Sequence, residues 1–379
     1  MSLVVDEHRQ YLSDAVRLAA FRRAIARVVR PGDVVVDIGS GTGVLGMFAC
    51  QAGARRVYSI EQTDLIELTR ALAVANGFEE RITFVRALST QVDLPERADV
   101  IVADQIGQFG FEAGLWEYFA DARRRFLREG GALVPASVSL FVAPVEVPRL
   151  FEQIEFWRER RENVDFTPAR EWAVNTGYPA TFAASELLAA GVCAARVSML
   201  DVSAAPFKLG AVISIGRPGV LHGIGGWFEA ELAPDVAMTN APGAAERIGR
   251  RNVYLPIDRA VPVDRTDEVR IELQADPAEG MLTWGVEVVA RSGAPAVSFR
   301  HSTLKGMLIS HEGLQRSRPS FRPKLTKYGE ARRTVLQLCD GARPLQEIEQ
   351  SVYERHREIF RSPADASGFV AEVVSRYSD

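Results

Sequence analysis

The sequence predicts an α/β protein: a doubly wound, Rossmann-like parallel sheet, then an antiparallel β-barrel, then a small helical region. Three observations predict it. Short β-branched strands alternate with helices over the first 140 or so residues, at Val34–Ile38, Arg56–Ile60, Ile82–Arg86, Val100–Ala103 and Ala132–Ser139. After Pro135, segments such as KLGAVISI, LHGIGGWFEAEL, NVYLPI, EVRIELQA, LTWGVEVV and VSFRHSTLKGMLIS alternate or run apolar between glycine and proline turns, as antiparallel sheets do. Near Ser317 a basic stretch begins, and three helices are expected beyond it: about Glu330–Cys339, Leu345–Phe360 and Ala364–Tyr377. Ser362, Pro363 and Asp365 form a capped start for the last one. The expected domains are 1–140, 141–315 with a projecting arm near 157–182, and 316–379.

The chemistry concentrates in Val34–Gly43, VVVDIGSGTG. Val34, Val35 and Val36 suit a parallel strand buried on both faces. Gly39, Ser40, Gly41 and Gly43 form a turn in which the backbone can approach a ligand without Cβ interference. Glu61 follows Gly43 by 18 residues, where a strand-end carboxylate binds ribose hydroxyls. Gly41–Gly46 also fits the dinucleotide fingerprint G-x-G-x-x-G. Asp37 argues for a different ligand. A carboxylate there repels a pyrophosphate but suits S-adenosylmethionine, which carries an ammonium and a sulfonium.

Composition sets the background. With 379 residues, two or three domains are expected. A net charge of −4 supplies no bulk attraction to nucleic acid or anionic membrane. Cys50, Cys193 and Cys339 are few, scattered and odd in number, which points to free thiols in a reducing compartment and to no metal site. No apolar run reaches the roughly 20 residues of a membrane span. Charged residues by position 6 leave no signal-peptide core, so the cytoplasm is the expected location.

The first 310 or so residues resemble the protein arginine methyltransferases, collinearly: YLSDAVRLAAFRRAI, VVVDIGSGTGVLGMFACQAGARRVYSIE, VIVADQIG, and the later phrases LHGIGGWFEAEL and HSTLKGML. The resemblance implies a methyltransferase domain followed by a substrate-binding barrel, with S-adenosylmethionine as cofactor and a homodimer built on the arm around Trp157–Tyr178. It implies that a helix folds over the cofactor, with Arg17 gripping the methionine carboxylate bidentately and His8, nine residues upstream, beside it. The family's adenine-binding glutamate is missing, and hydroxyls such as that of Ser89 stand in its place. The family clamps its acceptor guanidinium between two glutamates, which orient the group and localise its charge. Here the first position is Asp104 and the second Glu112, in a loop, QIGQFGFE, one residue shorter. The family's threonine-histidine-tryptophan loop reads Arg247-Ile248-Gly249. Asp104 and Glu112 are the candidate catalytic residues, with arginine as one candidate acceptor. A different acceptor, with Asp104 as base or anchor, is the competing reading; a small molecule or a non-catalytic peptide recruiter is also open.

The last 60 or so residues resemble the small winged-helix proteins of the pyrroloquinoline-quinone D type, through GEARRTVLQLCDGARPLQEIEQSVYERH. This implies a peptide or protein substrate, such as a ribosomally made natural-product precursor with an acidic leader peptide. Leu336, Leu338, Leu345, Ile348, Val352, Phe360, Phe369 and Val373 are the expected core of this region, equally consistent with a simple helical tail.

Overall fold

The computed structural model describes residues 4–290, 295–308, 310, 315, 316 and 318–378. Ile309 and Ser317, both within predicted segments, lie outside the described residues. The chain divides into two compact units, one running to Met307 and the other starting at Leu308.

Two helices lead in, α1 (Val4–Ser13) and α2 (Ala15–Val28). Asp14 caps α2: its carboxylate accepts the Arg17 N–H at 3.0 Å, satisfying one of the donors that a helix start leaves open. Phe21, Ala24 and Ile25 bury one face of α2 in the main core. The sheet follows: β1 (Val34–Ile38), α3 (Val44–Gln51), β2 (Arg56–Glu61), α4 (Leu65–Ala75), β3 (Ile82–Arg86), β4 (Ala98–Ala103), α5 (Leu115–Arg125) and β5 (Leu127–Val134). All four strand pairings are parallel, in the order β3-β2-β1-β4-β5. The chain leaves β1 toward β2 on one side and returns to β4 on the other. The loops after β1 and β4 therefore flank one crevice at the strands' C-terminal ends, where doubly wound sheets bind ligands. The predicted strand Ala132–Ser139 divides in two. Pro135 has no N–H for a ladder, so β5 stops at Val134 and β6 (Ser137–Val145) begins the next layer.

That layer interleaves α6 (Pro148–Glu155), a hairpin of β7 (Arg160–Arg161) and β8 (Val164–Asp165), α7 (Ala169–Val174) and β9 (Tyr178–Ala180). It continues with β10 (Val192–Ser198), β11 (Phe207–Ser214), β12 (Gly219–Ala233), β13 (Val236–Thr239), β14 (Asn252–Val263), β15 (Glu268–Asp276), β16 (Met281–Val289), β17 (Val297–Ser302) and the short α8 (Thr303–Gly306). One antiparallel sheet runs β10-β6-β12-β14-β9, with β13 beside β12; the other runs β11-β15-β16-β17. Strands β15 and β16 alternate buried and exposed residues, so each has one face on the core. Together the sheets form the barrel. Trp284 of β16 is fully buried and donates its Nε1–H to the Pro256 carbonyl of β14 at 2.7 Å, a bond from one sheet to the other.

The second unit contains α9 (Lys327–Leu338), α10 (Leu345–Arg355) and α11 (Pro363–Tyr377). The Thr326 and Ser362 hydroxyls cap α9 and α11. Their core is Ala331, Val335, Leu338, Ile348, Val352, Phe360, Ala366, Val370 and Val373. Leu336 and Leu345, expected inside, are exposed. Leu336 lies one residue, about 100° around the helix, from the buried Val335. Among the described residues between 308 and 326 there is no strand.

Trp284→Phe keeps most of the buried ring but strands the Pro256 carbonyl, and is expected to cost about 1–3 kcal/mol. The check is the thermal midpoint of the barrel transition; an unchanged midpoint would show that the bond between the sheets contributes nothing.

Candidate functional site

The crevice over β1 and β4 opens into a cavity of about 480 Å³. It is lined by His8 and Tyr11 of α1, Arg17 of α2, Gly39–Thr42 after β1, Asp104–Gln105 after β4, and Arg250 from the loop between β13 and β14. A second cleft of about 40 Å³ contains Glu61, Ser89, Leu88 and Tyr118. Gln105 borders both.

The glycine turn is built for close approach. Gly39 and Gly41 have φ of +61° and +56°. A Cβ on Gly41 would lie 2.6 Å from the His8 ring, and one on Gly39 only 1.9 Å from the Gln105 amide. The N-terminal helix thus lays His8 directly on the turn. Glu61 is buried at the tip of β2. One of its oxygens accepts the Gly41 N–H at 3.3 Å, and the other accepts the Thr63 N–H and hydroxyl at 2.9 and 2.8 Å. The Ser40 and Ser89 hydroxyls are buried without hydrogen-bond partners.

Of the residues expected to bind the cofactor, His8, Arg17, Gly39, Ser40 and Gly41 share the larger cavity; Glu61 and Ser89 share the smaller cleft. Gly43 and Asp37 line neither. Gly43 forms the N-cap of α3. Asp37 points from β1 toward that helix start, where it accepts the Gly46 N–H at 2.9 Å; its other oxygen is buried and unpartnered. Burial pushes the Asp37 carboxyl up to about 7, with the nearby Glu61 adding to the rise against the opposing pull of the Gly46 bond.

A cluster of charges is organised around Asp104. Arg17 donates to its Oδ2 from both Nε and Nη2, and Arg250 donates to the same oxygen at 3.1 Å. Arg17 also donates to the Tyr11 carbonyl at 3.2 Å. Asp104 Oδ1 and Arg250 Nη1 are both buried and unpartnered. Glu112 has other partners. Its exposed carboxylate folds back over its own loop and accepts the N–H groups of Gln108, Phe109 (2.9 Å) and Phe111 (3.2 Å). Glu112 is thus bonded to its own loop, whereas Asp104 is bonded to Arg17 and Arg250. The loop turns back on itself, and its N–H groups hold the Glu112 carboxylate.

Arg250 was not among the residues singled out in the sequence. Its placement depends on contacts distant in the chain. Asp14 Oδ2 accepts the Gly249 N–H at 2.7 Å. Asn240, fully buried, donates to the carbonyls of Gln108 and Arg251, both at 2.8 Å. Arg247 donates to the Asn240 carbonyl at 3.1 Å and to the Asn252 side chain at 3.2 Å, so it braces this loop from within. Only the Asp14 cap had a local signal, an acid immediately before a helix pattern.

Among the described residues no group of three or more His, Cys, Asp or Glu could hold a metal ion, and no helix is long and apolar enough to cross a membrane. All three cysteines are unpaired.

Asp37 carries a pH dependence. Its folded-state pKa lies above the ordinary value of 3.8, so the folded chain holds a proton there that the unfolded chain has released. Stability is therefore undiminished below about 3.8 and falls as pH rises toward about 7, by up to a few kcal/mol. Asp37→Asn keeps an acceptor for Gly46 and is expected to flatten this fall. Melting curves from pH 4 to 8 check it; parallel curves for the two proteins would refute it.

Known proteins share both the sequence and the shape. Residues 22–131 match the ribosomal protein L11 methyltransferase (PrmA) family. Protein arginine N-methyltransferase 1 of Dictyostelium discoideum is 28% identical over 236 residues, covering 60% of this chain and 68% of that protein. The structure of Arabidopsis thaliana protein arginine methyltransferase 10 superposes with a TM-score of 0.68 at 22% identity, covering 78% of this chain and 96% of that one. The Trypanosoma brucei PRMT1 enzyme-prozyme complex with AdoHcy gives the same score at 18% identity, covering 78% and 97%. The two solved structures share this chain's parallel-sheet domain joined to an antiparallel barrel, and by fold and sequence similarity this chain is a methyltransferase.

Proposed function

We propose that the chain transfers a methyl group from S-adenosylmethionine to a group on a peptide or protein. The observation that carries this is the cavity at the sheet's switch point, floored by a Cβ-free glycine turn, with Glu61 at the adjacent strand tip and His8 and Arg17 brought over it by helices. The unpartnered Ser40 and Ser89 hydroxyls fit a ligand rich in polar edges. Arg17 would take the methionine carboxylate, Glu61 the ribose hydroxyls, and the strip around Leu88 and Ser89 the adenine. S-adenosylmethionine supplies a methyl already activated on sulfonium, so the protein's task is to align the nucleophile and keep water out. Arg17 leaves Asp104 when it turns to the cofactor carboxylate, and this couples cofactor arrival to the acceptor side.

The relatives named above are arginine methyltransferases, and arginine is one acceptor that this reading includes. The helical unit is read as a peptide-holding module of the pyrroloquinoline-quinone D type. Exposed cations Arg318, Arg322, Lys324 and Lys327 precede or begin α9 and suit an acidic leader peptide. With no strand among the described residues between 308 and 326, charge and not strand addition carries that contact. Phe166 and Trp172 are exposed on the arm, which suits a homodimer, whereas Tyr178 packs inward and donates to the Ala173 carbonyl at 2.7 Å. A reducing compartment such as the cytoplasm suits three free thiols.

Isotope-labelled S-adenosylmethionine, incubated with the protein and a heat-treated extract of the cells that encode it, is expected to label peptide or protein. Cofactor binding without any transfer would favour a non-catalytic recruiter, and label confined to small molecules would remove the peptide. Deleting residues 318–379 is expected to raise KM for the labelled peptide about tenfold, equivalent to roughly 1.4 kcal/mol of lost binding, while cofactor affinity stays unchanged. An unaltered KM would separate the helical unit from substrate recognition.

A further inference from the structure

Resting on the methyl-transfer reading above, we propose that the acceptor is a primary carboxamide, the side chain of asparagine or glutamine in a peptide, and that Arg250 selects it against a cation. Two residues that line the cavity each hold a buried atom without a partner: Asp104 Oδ1, an acceptor, and Arg250 Nη1, a donor. They belong to side chains already joined through Asp104 Oδ2 and Arg250 Nη2, so the two orphans sit on one paired unit. Once Arg17 has left Asp104, a small group that reaches both must offer a donor and an acceptor. A carboxamide does so, with its NH₂ for Asp104 and its carbonyl for Arg250. A guanidinium offers only donors and brings its positive charge to Arg250. A carboxylate offers only acceptors and brings negative charge to Asp104.

Two further observations point the same way. Glu112, the second carboxylate that a guanidinium needs, is held by three backbone N–H groups of its own loop. The cavity wall carries three cationic side chains, Arg17, Arg250 and Arg251, against two carboxylates, Glu7 and Asp104. Once Arg17 is matched to the cofactor carboxylate, the Asp104–Arg250 pair is neutral and favours a neutral acceptor.

The same pair suits the chemistry. An amide nitrogen is a poor nucleophile because its lone pair is shared with the carbonyl. Asp104 Oδ1 accepts the N–H proton while Arg250 Nη1 steadies the negative charge that moves onto the carbonyl oxygen. The nitrogen then bonds to the methyl carbon, the carbon–sulfur bond breaks, and its electron pair stays on sulfur as a neutral thioether. The proton passes from Asp104 to solvent, and no oxidant or metal enters the balance.

The test uses the full-length protein, tritium-labelled S-adenosylmethionine and the heat-treated cell extract, and it identifies the chemical form of the label. N-methylcarboxamide releases labelled methylamine on acid hydrolysis, and this is the expected result. Acid-stable methylarginine, or a base-labile ester that releases methanol, would overturn the carboxamide. No incorporation at all, with S-adenosylhomocysteine still bound in calorimetry, would instead sink methyl transfer itself and the carboxamide with it. Arg250→Gln supplies a second readout. It is expected to lower kcat on the labelled peptide at least about tenfold, to leave S-adenosylhomocysteine affinity unchanged, and to let N-acetyl-arginine N-methylamide, which has no primary carboxamide, become labelled where the wild type leaves it unlabelled. An unchanged kcat, with arginine still refused, would remove Arg250 from acceptor selection.

Discussion

One buried carboxylate joins the three parts of the catalytic unit. Asp104 stands at the end of β4 in the parallel sheet, Arg17 comes from the helices that precede that sheet, and Arg250 comes from a barrel loop. A carboxylate in such a place is expensive to bury alone, and two guanidiniums offset that cost. The side chains of Arg17 and Asp104 are each less than a tenth exposed, so solvent does little to weaken the contact. Through it the lid, the sheet and the barrel share a single electrostatic centre. Asp14 reinforces the arrangement, since one carboxylate oxygen caps α2 and the other holds the Gly249 N–H.

The cofactor side depends on shape more than on charge. Gly39 and Gly41 leave the turn after β1 open enough for His8 and Gln105 to lie against it. Asp37, which the sequence suggested as the group facing a cationic ligand, serves this turn from behind. Its bond to Gly46 fixes the start of α3 relative to β1. Alternation along β1 explains the difference: Asp37 is a strand residue, and its side chain follows the strand's pleat toward the helix layer.

The two carboxylates of the segment after β4 have different partners. In the loop QIGQFGFE, Glu112 is close enough to the preceding backbone to collect the N–H groups of Gln108, Phe109 and Phe111. Those three bonds use most of the carboxylate's acceptor capacity. Asp104 is then left to pair with whatever cation the barrel supplies, and the loop around Arg247–Arg251 supplies Arg250.

Local pattern carried much of the fold and of the cofactor side. Valine runs marked β1, glycines marked the turn, Glu61 marked the strand tip, and Ser362 with Pro363 marked the start of the last helix, because each of these depends on neighbours a few residues away. Where Pro135 divided one predicted strand into two, and where Leu336 and Leu345 faced out, the local signal lacked the exact phase. The Asp104–Arg250 pair, the Asn240 and Asn252 braces and the retreat of Glu112 had no such signal. Asp104 and Arg250 are separated by 146 positions. Sequence by itself determined the element types, the glycine turn and the candidate ligands of the cofactor. Only the tertiary structure decided which charges meet, because pairing across distant loops is set by the register of sheets and barrel and not by the residues on either side.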